Sequence, residues 1–139
     1  LLPGVIENLT GNVLFHGIQV KPGMPTMLSV VKGTPVLSLS GNPFAVEALF
    51  EVLAGGYLTD MEASRYLQKN QMKILKQTFV KTGKMKRIVK GRCDESGVYL
   101  PQIQKNGQLK NGIGSNCLVI FPEGERTYTE GEAVRVIRI

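Results

Sequence analysis

Residues 36–46 read Val-Leu-Ser-Leu-Ser-Gly-Asn-Pro-Phe-Ala-Val, and few local structures accommodate that order. Val36, Leu37 and Leu39 make a short apolar strand. Gly41 reaches backbone angles closed to residues with a side chain. Asn42 is a preferred helix N-cap, and Pro43 suits the first helical position, where a missing N–H costs nothing. Beyond it, Val46, Leu49, Phe50 and Leu53 recur at helical spacing. A strand that turns through glycine into a capped helix leaves free N–H groups and a positive dipole end at one point, which suits an oxyanion or a phosphate. Upstream lies Lys21-Pro22-Gly23-Met24-Pro25, a rigid turn that holds one lysine. Pro22 biases Lys21 toward extended conformations, so its ammonium starts from a restricted position and can hold a dianion at modest entropic cost.

Around this segment the chain divides into two textures. Leu1–Leu9 reads as the tail of a helix, Val13–Val20 and Met27–Val31 as strands, Lys32-Gly33-Thr34-Pro35 as a turn, Val36–Ser40 as a strand and Pro43–Ala54 as a helix ended by Gly55-Gly56. Tyr57–Asn70 reads as helix or linker. Beyond it short strands follow one another: Lys73–Lys81, Lys86–Cys93, Gly97–Gln102, Cys117–Phe121 and Ala133–Ile139, with glycine turns at 83, 97, 107, 124 and 131. That spacing suggests a small barrel or sandwich. The expected organisation is an α/β fragment over residues 1–57, a linker or helix over 58–72, and an all-β barrel-like domain over 73–139.

The net charge of +6 is uneven. Residues 1–70 carry four basic and five acidic groups, whereas residues 71–139 carry thirteen and six. The densest run, Lys81, Lys84, Lys86, Arg87, Lys90 and Arg92, contains no acid. Such a field draws in anions, from a phosphorylated small molecule to nucleic acid, and equally describes a solvated strand face that blunts a sheet edge. No apolar run reaches the roughly 20 residues of a membrane helix. Cys93 and Cys117 lack metal-type spacing, and Cys117, beside the apolar run Leu118–Phe121, reads as a buried inert thiol, which favours a reducing cytosol. His16, the only histidine, has no Cys, Asp or Glu cluster near it for a metal, and Ser38, Ser40 and Ser115 have no histidine partner for a nucleophilic triad.

The two motifs together resemble the molybdopterin molybdenumtransferases, a family that includes the E domain of gephyrin. Its members carry a Lys-Pro-Gly-Lys-Pro turn, then a strand ending in Leu-Pro-Gly-Asn-Pro and a helix. Here the order is Phe15–Pro25, then Leu39-Ser40-Gly41-Asn42-Pro43. Gly114–Pro122 and Tyr128–Val136 look like the family's closing β-domain, so the resemblance covers nearly all 139 residues. It implies a fragment of the three-layer molybdopterin-binding α/β domain followed by the small β-domain. The family's Gly-Gly-Val-Ser segment and the acidic residues after it do not appear, so the chain reads as the C-terminal piece of a longer enzyme.

By resemblance, Lys21, Pro22, Gly23 and Pro25 line a molybdate pocket with Ser40, Gly41, Asn42 and Pro43. Lys76 and Lys81 match the family's Arg-x-x-Phe-x-Arg strand, and Gln104-Lys105-Asn106 its Gln-x-Ser region, so Lys76, Lys81 and Gln104 frame the cleft. The catalytic acids are expected upstream of residue 1. Met24 stands where the family has a second lysine; a charge-assisted contact is roughly 1.5–3 kcal/mol, so its loss weakens oxyanion binding about tenfold or more. The implied reaction inserts molybdate into adenylylated molybdopterin and releases AMP, with Mg2+ as cofactor, in a cytoplasmic homodimer. The alternatives are non-enzymatic: a basic β-module that binds nucleic acid, which requires at least two of Phe79, Tyr99, Phe121 and Tyr128 exposed on the basic face, or a gephyrin-like scaffold.

Overall fold

A computed structural model describes residues 2–54, 69–101 and 114–139. Helix α1 (Leu2–Asn8) places Pro3 in its first turn, where proline is tolerated, and buries Ile6. Strands β1 (Asn12–His16), β2 (Val20–Lys21), β3 (Met27–Val31) and β4 (Thr34–Ser38) follow. The expected strand 13–20 is thus two strands, parted at Gly17, whose φ of 92° breaks the extended run. Lys32 and Gly33, both at positive φ, make a two-residue hairpin, so Thr34 and Pro35 belong to β4 rather than to the turn. Pro35 is tolerated because β4 is an edge of the antiparallel sheet β1-β3-β4.

Asn42 caps helix α2 (Pro43–Leu49): its side chain accepts the Ala45 N–H at 3.1 Å. The expected helix to Ala54 continues as a π-helical turn, Phe50–Ala54. The second texture supplies β5 (Asn70–Ile74), β6 (Phe79–Lys81), β7 (Lys86–Cys93), β8 (Val98–Tyr99), β9 (Cys117–Phe121), β10 (Arg126–Tyr128) and β11 (Ala133–Arg138). The expected strand 73–81 divides into β5 and β6, and β10 is an element that no apolar alternation announces. Residues 55–68, most of the proposed linker, and 102–113 lie outside the described residues.

The described chain is mostly β. Its main sheet runs β2-β7-β9-β11-β5, with β8 on β7, and β6 and β10 form a separate pair. The sheet curls without closing into a full barrel. From β5 to β8 the link is the single bridge Leu75↔Val98, joined by the Lys76 N–H on the Val98 carbonyl at 2.9 Å.

Strand β9 shows where the core sits, because all five of its residues are buried. Cys117, Val119 and Phe121 face a cluster with Leu75, Val89, Val98, Tyr128 and Val136. Leu118 and Ile120 face the other way, into a cluster with Ala48, Leu49, Ile88 and Ile137. A continuous apolar run is therefore a strand covered on both faces, and α2 is the second cover. Lys90 on β7 pairs with Glu47 at 2.5 Å and lies over the Phe44 ring, fixing α2 to the sheet.

Candidate functional site

The Lys21–Pro25 turn is held from three sides. The Thr26 hydroxyl, fully buried, donates to the Gly23 carbonyl at 2.7 Å. The Ile18 N–H donates to the Met24 carbonyl at 2.9 Å, and the Lys21–Pro22 peptide is cis. Gly23 has φ of 110°, and a Cβ there would overlap the buried Leu49 side chain at the end of α2. Only glycine satisfies both conditions. Beyond the turn, β2 runs parallel to β7 with Lys21 opposite Arg87.

The register Met27↔Ser38 opens the 22–26 turn and the Ser40–Pro43 turn from the same end of the β3–β4 hairpin. Ser40, Gly41, Asn42 and Pro43 are thereby brought to the side of the molecule that carries Lys21, Pro22, Gly23 and Pro25. Within the second turn, the Asn42 N–H donates to the Ser40 hydroxyl at 3.2 Å, so the serine stiffens the turn where the family has proline. Lys21, Met24, Pro25, Gly41 and Pro43 are exposed, while Gly23 is buried and Pro22, Ser40 and Asn42 are half-buried. Met24, 52% exposed, contributes an apolar side chain to the open face of the turn.

Lys76 and Lys81 stand apart. Lys76 follows β5, its aliphatic stem covering Gly97 beside Val98. Val98 pairs with Cys93 at one end of β7, and Lys21 with Arg87 at the other. Six residues of strand, about 20 Å, separate those two registers. Lys81 is 1% exposed, and its ammonium donates to the carbonyls of Gly83, at 2.8 Å, and Gly124. It ties the two turns beside β6 and β10 together, using hydrogen bonds that a buried ammonium requires. Gln104, with Asn106, lies outside the described residues.

Two residues with defined surroundings carry little pattern in sequence. Arg87 is recognisable only through the β2–β7 register. Asn116 accepts the Cys93 N–H at 2.7 Å and donates to its carbonyl at 2.9 Å, clamping β7 to the start of β9. Burial beside the Cys93 thiol pushes the Cys117 thiol up to about 12, which agrees with an inert sulfur. In the β-module, Phe79 stacks on Phe121 at 4.5 Å between centroids, and Phe121 meets Tyr128; among its described aromatics, Tyr99 alone is exposed. No group of three or more His, Cys, Asp or Glu side chains gathers among the described residues, so these residues offer the implied Mg2+ no fitting site. No described helix is long and apolar enough to cross a membrane.

No family model matches the chain. Over 98% of its length, however, it is 26% identical to the molybdopterin molybdenumtransferase of Staphylococcus aureus, and over 99% it is 26% identical to that of Bacillus subtilis. Superposition on a molybdopterin biosynthesis protein of Pyrococcus horikoshii gives a TM-score of 0.79, with 28% identity over 99% of this chain. The chain is a homologue of the molybdopterin molybdenumtransferases. It spans about one third of the length of these relatives, 34% of the first and 33% of the second, and matches their C-terminal part.

Proposed function

We propose that this chain is the oxyanion-holding C-terminal portion of an enzyme that inserts molybdate into adenylylated molybdopterin and releases AMP. The observation that carries the proposal is the clamped Lys21–Pro25 turn, which shares one end of the β3–β4 hairpin with the Ser40–Pro43 turn. The names of the homologues support the same chemistry. In this reading Lys21 holds a molybdate oxygen, and the two turns shape the pocket around it. Insertion of a preformed oxyanion requires positioning and charge stabilisation more than a side-chain nucleophile, and the residues present supply those. The acids that complete the reaction, and the remaining layers of the α/β domain over residues 1–57, belong to the preceding part of the polypeptide. The enzyme acts as a cytoplasmic homodimer with a small anionic substrate. Lys76, Lys81 and Gln104 frame the cleft, Lys81 by bracing the turns at Gly83 and Gly124.

The test is molybdate-dependent AMP release from adenylylated molybdopterin by the full-length polypeptide, with Lys21→Ala alongside. Release that requires molybdate and falls at least tenfold in the variant is the expected result. A folded protein that binds the nucleotide and releases nothing would sink the enzymatic reading.

A further inference from the structure

Two thiols and a guanidinium meet on one face of the main sheet, at the end shared by β7, β9 and β11. Gly91 is the last rung of β7 on β9, opposite Cys117, and Arg138 is in register with Cys117 from β11. Side chains alternate along a strand, so Cys93 shares the face of Val89, Cys117 and Val119. Gly91 puts no side chain between the two sulfurs. The Cys117 thiol donates to the Cys93 sulfur, and so does the Arg138 guanidinium. Asn116 ties the strand ends around them, since its side chain holds both the N–H and the carbonyl of Cys93 and its carbonyl accepts the Ile139 N–H at 3.1 Å.

Both thiols are buried, yet Arg138 is exposed, so the sulfurs lie one side chain away from water. The end of a sheet also opens more readily than its middle. Reactive cysteines sit beside cations, and Arg138 marks Cys93 as the attacking sulfur. Desolvation first, and then the neighbouring Cys93, push Cys117 up to about 12. Cys117 therefore keeps its proton and is inert until Cys93 has reacted.

We propose that Cys93 and Cys117 are a modification site, a pair that hydrogen peroxide closes to a reversible disulfide between β7 and β9, with Arg138 beside the attacking Cys93. The Cys93 sulfur attacks one peroxide oxygen. An S–O bond forms, the O–O bond breaks, and the other oxygen leaves with the thiol proton as water. The Cys117 sulfur then attacks the sulfenic sulfur. An S–S bond forms, the S–O bond breaks, and the hydroxyl departs with the Cys117 proton as a second water. Two thiols are oxidised and one peroxide is reduced, and a dithiol reductant reverses the change. Diagonal neighbours on antiparallel strands have Cα atoms roughly 7–8 Å apart, and a disulfide spans up to about 6.8 Å, so closure draws the strand ends together by about 1 Å. The bridge keeps Cys93 from the irreversible sulfinic stage.

The experiment treats the 139-residue chain with hydrogen peroxide and maps its peptides without reduction. Mapping separates the cysteines from the exposed Met24 and Met72, which take up oxygen without linking. The expected product is a cross-link between the Cys93 and Cys117 peptides of one monomer, lost on treatment with dithiothreitol. Arg138→Gln is expected to slow its formation about tenfold or more, and Arg138→Lys less. Arg135→Gln, a charge control whose side chain bonds Asn70, is expected to slow it by under about twofold. In Cys117→Ser, Cys93 stops at a sulfenic acid that dimedone traps, whereas in Cys93→Ser, Cys117 stays reduced. A wild-type chain that keeps both thiols, or that carries Cys93 to sulfinic acid without a cross-link, overturns the proposal even where a variant fails to fold. Cross-linking as fast in Arg138→Gln as in the wild type overturns the part given to the guanidinium.

Discussion

Strand β9 and strand β1 are of equal length, and the chain treats them in opposite ways. All five residues of β9 are buried, because the curled sheet covers one face and α2 the other. In β1 only Val13 is half-buried, and Leu14 and Phe15 remain 55% and 36% exposed. The first region draws its stability from volume packed on both sides. The second is held by its ladder to β3 and by turns with few alternatives, which are also the turns that carry the candidate site. The candidate site thus lies on the part of the molecule with the thinner core, and its shape depends on backbone-specific residues rather than on burial.

The same substitution at two leucines breaks that comparison most directly. Leu118→Ala in β9 removes a fully buried side chain at the α2 interface and is expected to cost about 3–5 kcal/mol, whereas Leu14→Ala in β1 stays within about 0.5 kcal/mol. Urea unfolding of both variants checks this, and equal losses would show that β1 is as tightly covered as β9. Gly23→Ala comes next, at about 3 kcal/mol, from left-handed backbone strain together with overlap against Leu49. Because the turn must shift to relieve it, molybdate affinity is expected to fall along with stability. A change in stability alone would separate the turn from the site.

The smallest effect concerns acid. The Thr129 backbone N–H, then its hydroxyl, hold the Glu132 carboxyl below its ordinary value of 4.5, with Arg126 adding to the effect. Ser96 does the same for Asp94, whose ordinary value is 3.8. Both folded carboxyls bind protons less readily than the unfolded ones. The stability they add is therefore present above those ordinary values and lost as pH falls through the lower folded ones. Glu132→Gln is expected to lower the thermal midpoint modestly at pH 7, to match the wild type in acid, and so to flatten the decline below about pH 4.5. An unchanged acid limb would assign the decline to other carboxylates.

Much of the fold is legible in the residues themselves. The strands 86–93 and 117–121 appear with the bounds that their apolar content and glycine turns indicate, and Asn42-Pro43 marks the start of α2. The breaks within 13–20 and 73–81 are harder to see, because apolar alternation continues through residues whose partners change from one sheet to another. Site residues divide in the same way. Lys21 and Gly23 announce themselves through a proline–glycine turn, a local signal. Arg87 carries no such signal, because its meaning arises from a parallel pairing across more than sixty residues of chain.

By itself, then, the sequence determined whatever depends on neighbours along the chain: the existence of a turn at Lys32-Gly33, though not its length, the cap at Asn42, the apolar run of β9 and the Pro-Gly turn after Lys21. Backbone sterics, capping and periodicity act over a few residues and are written in order. Only the tertiary structure decided that α2 covers the second face of the sheet, that Lys81 is spent on the carbonyls of Gly83 and Gly124, and that Lys21 faces Arg87. Those outcomes depend on which distant surfaces bury one another. No local pattern encodes the choice, because the burial that stabilises it arises only when the whole chain has closed.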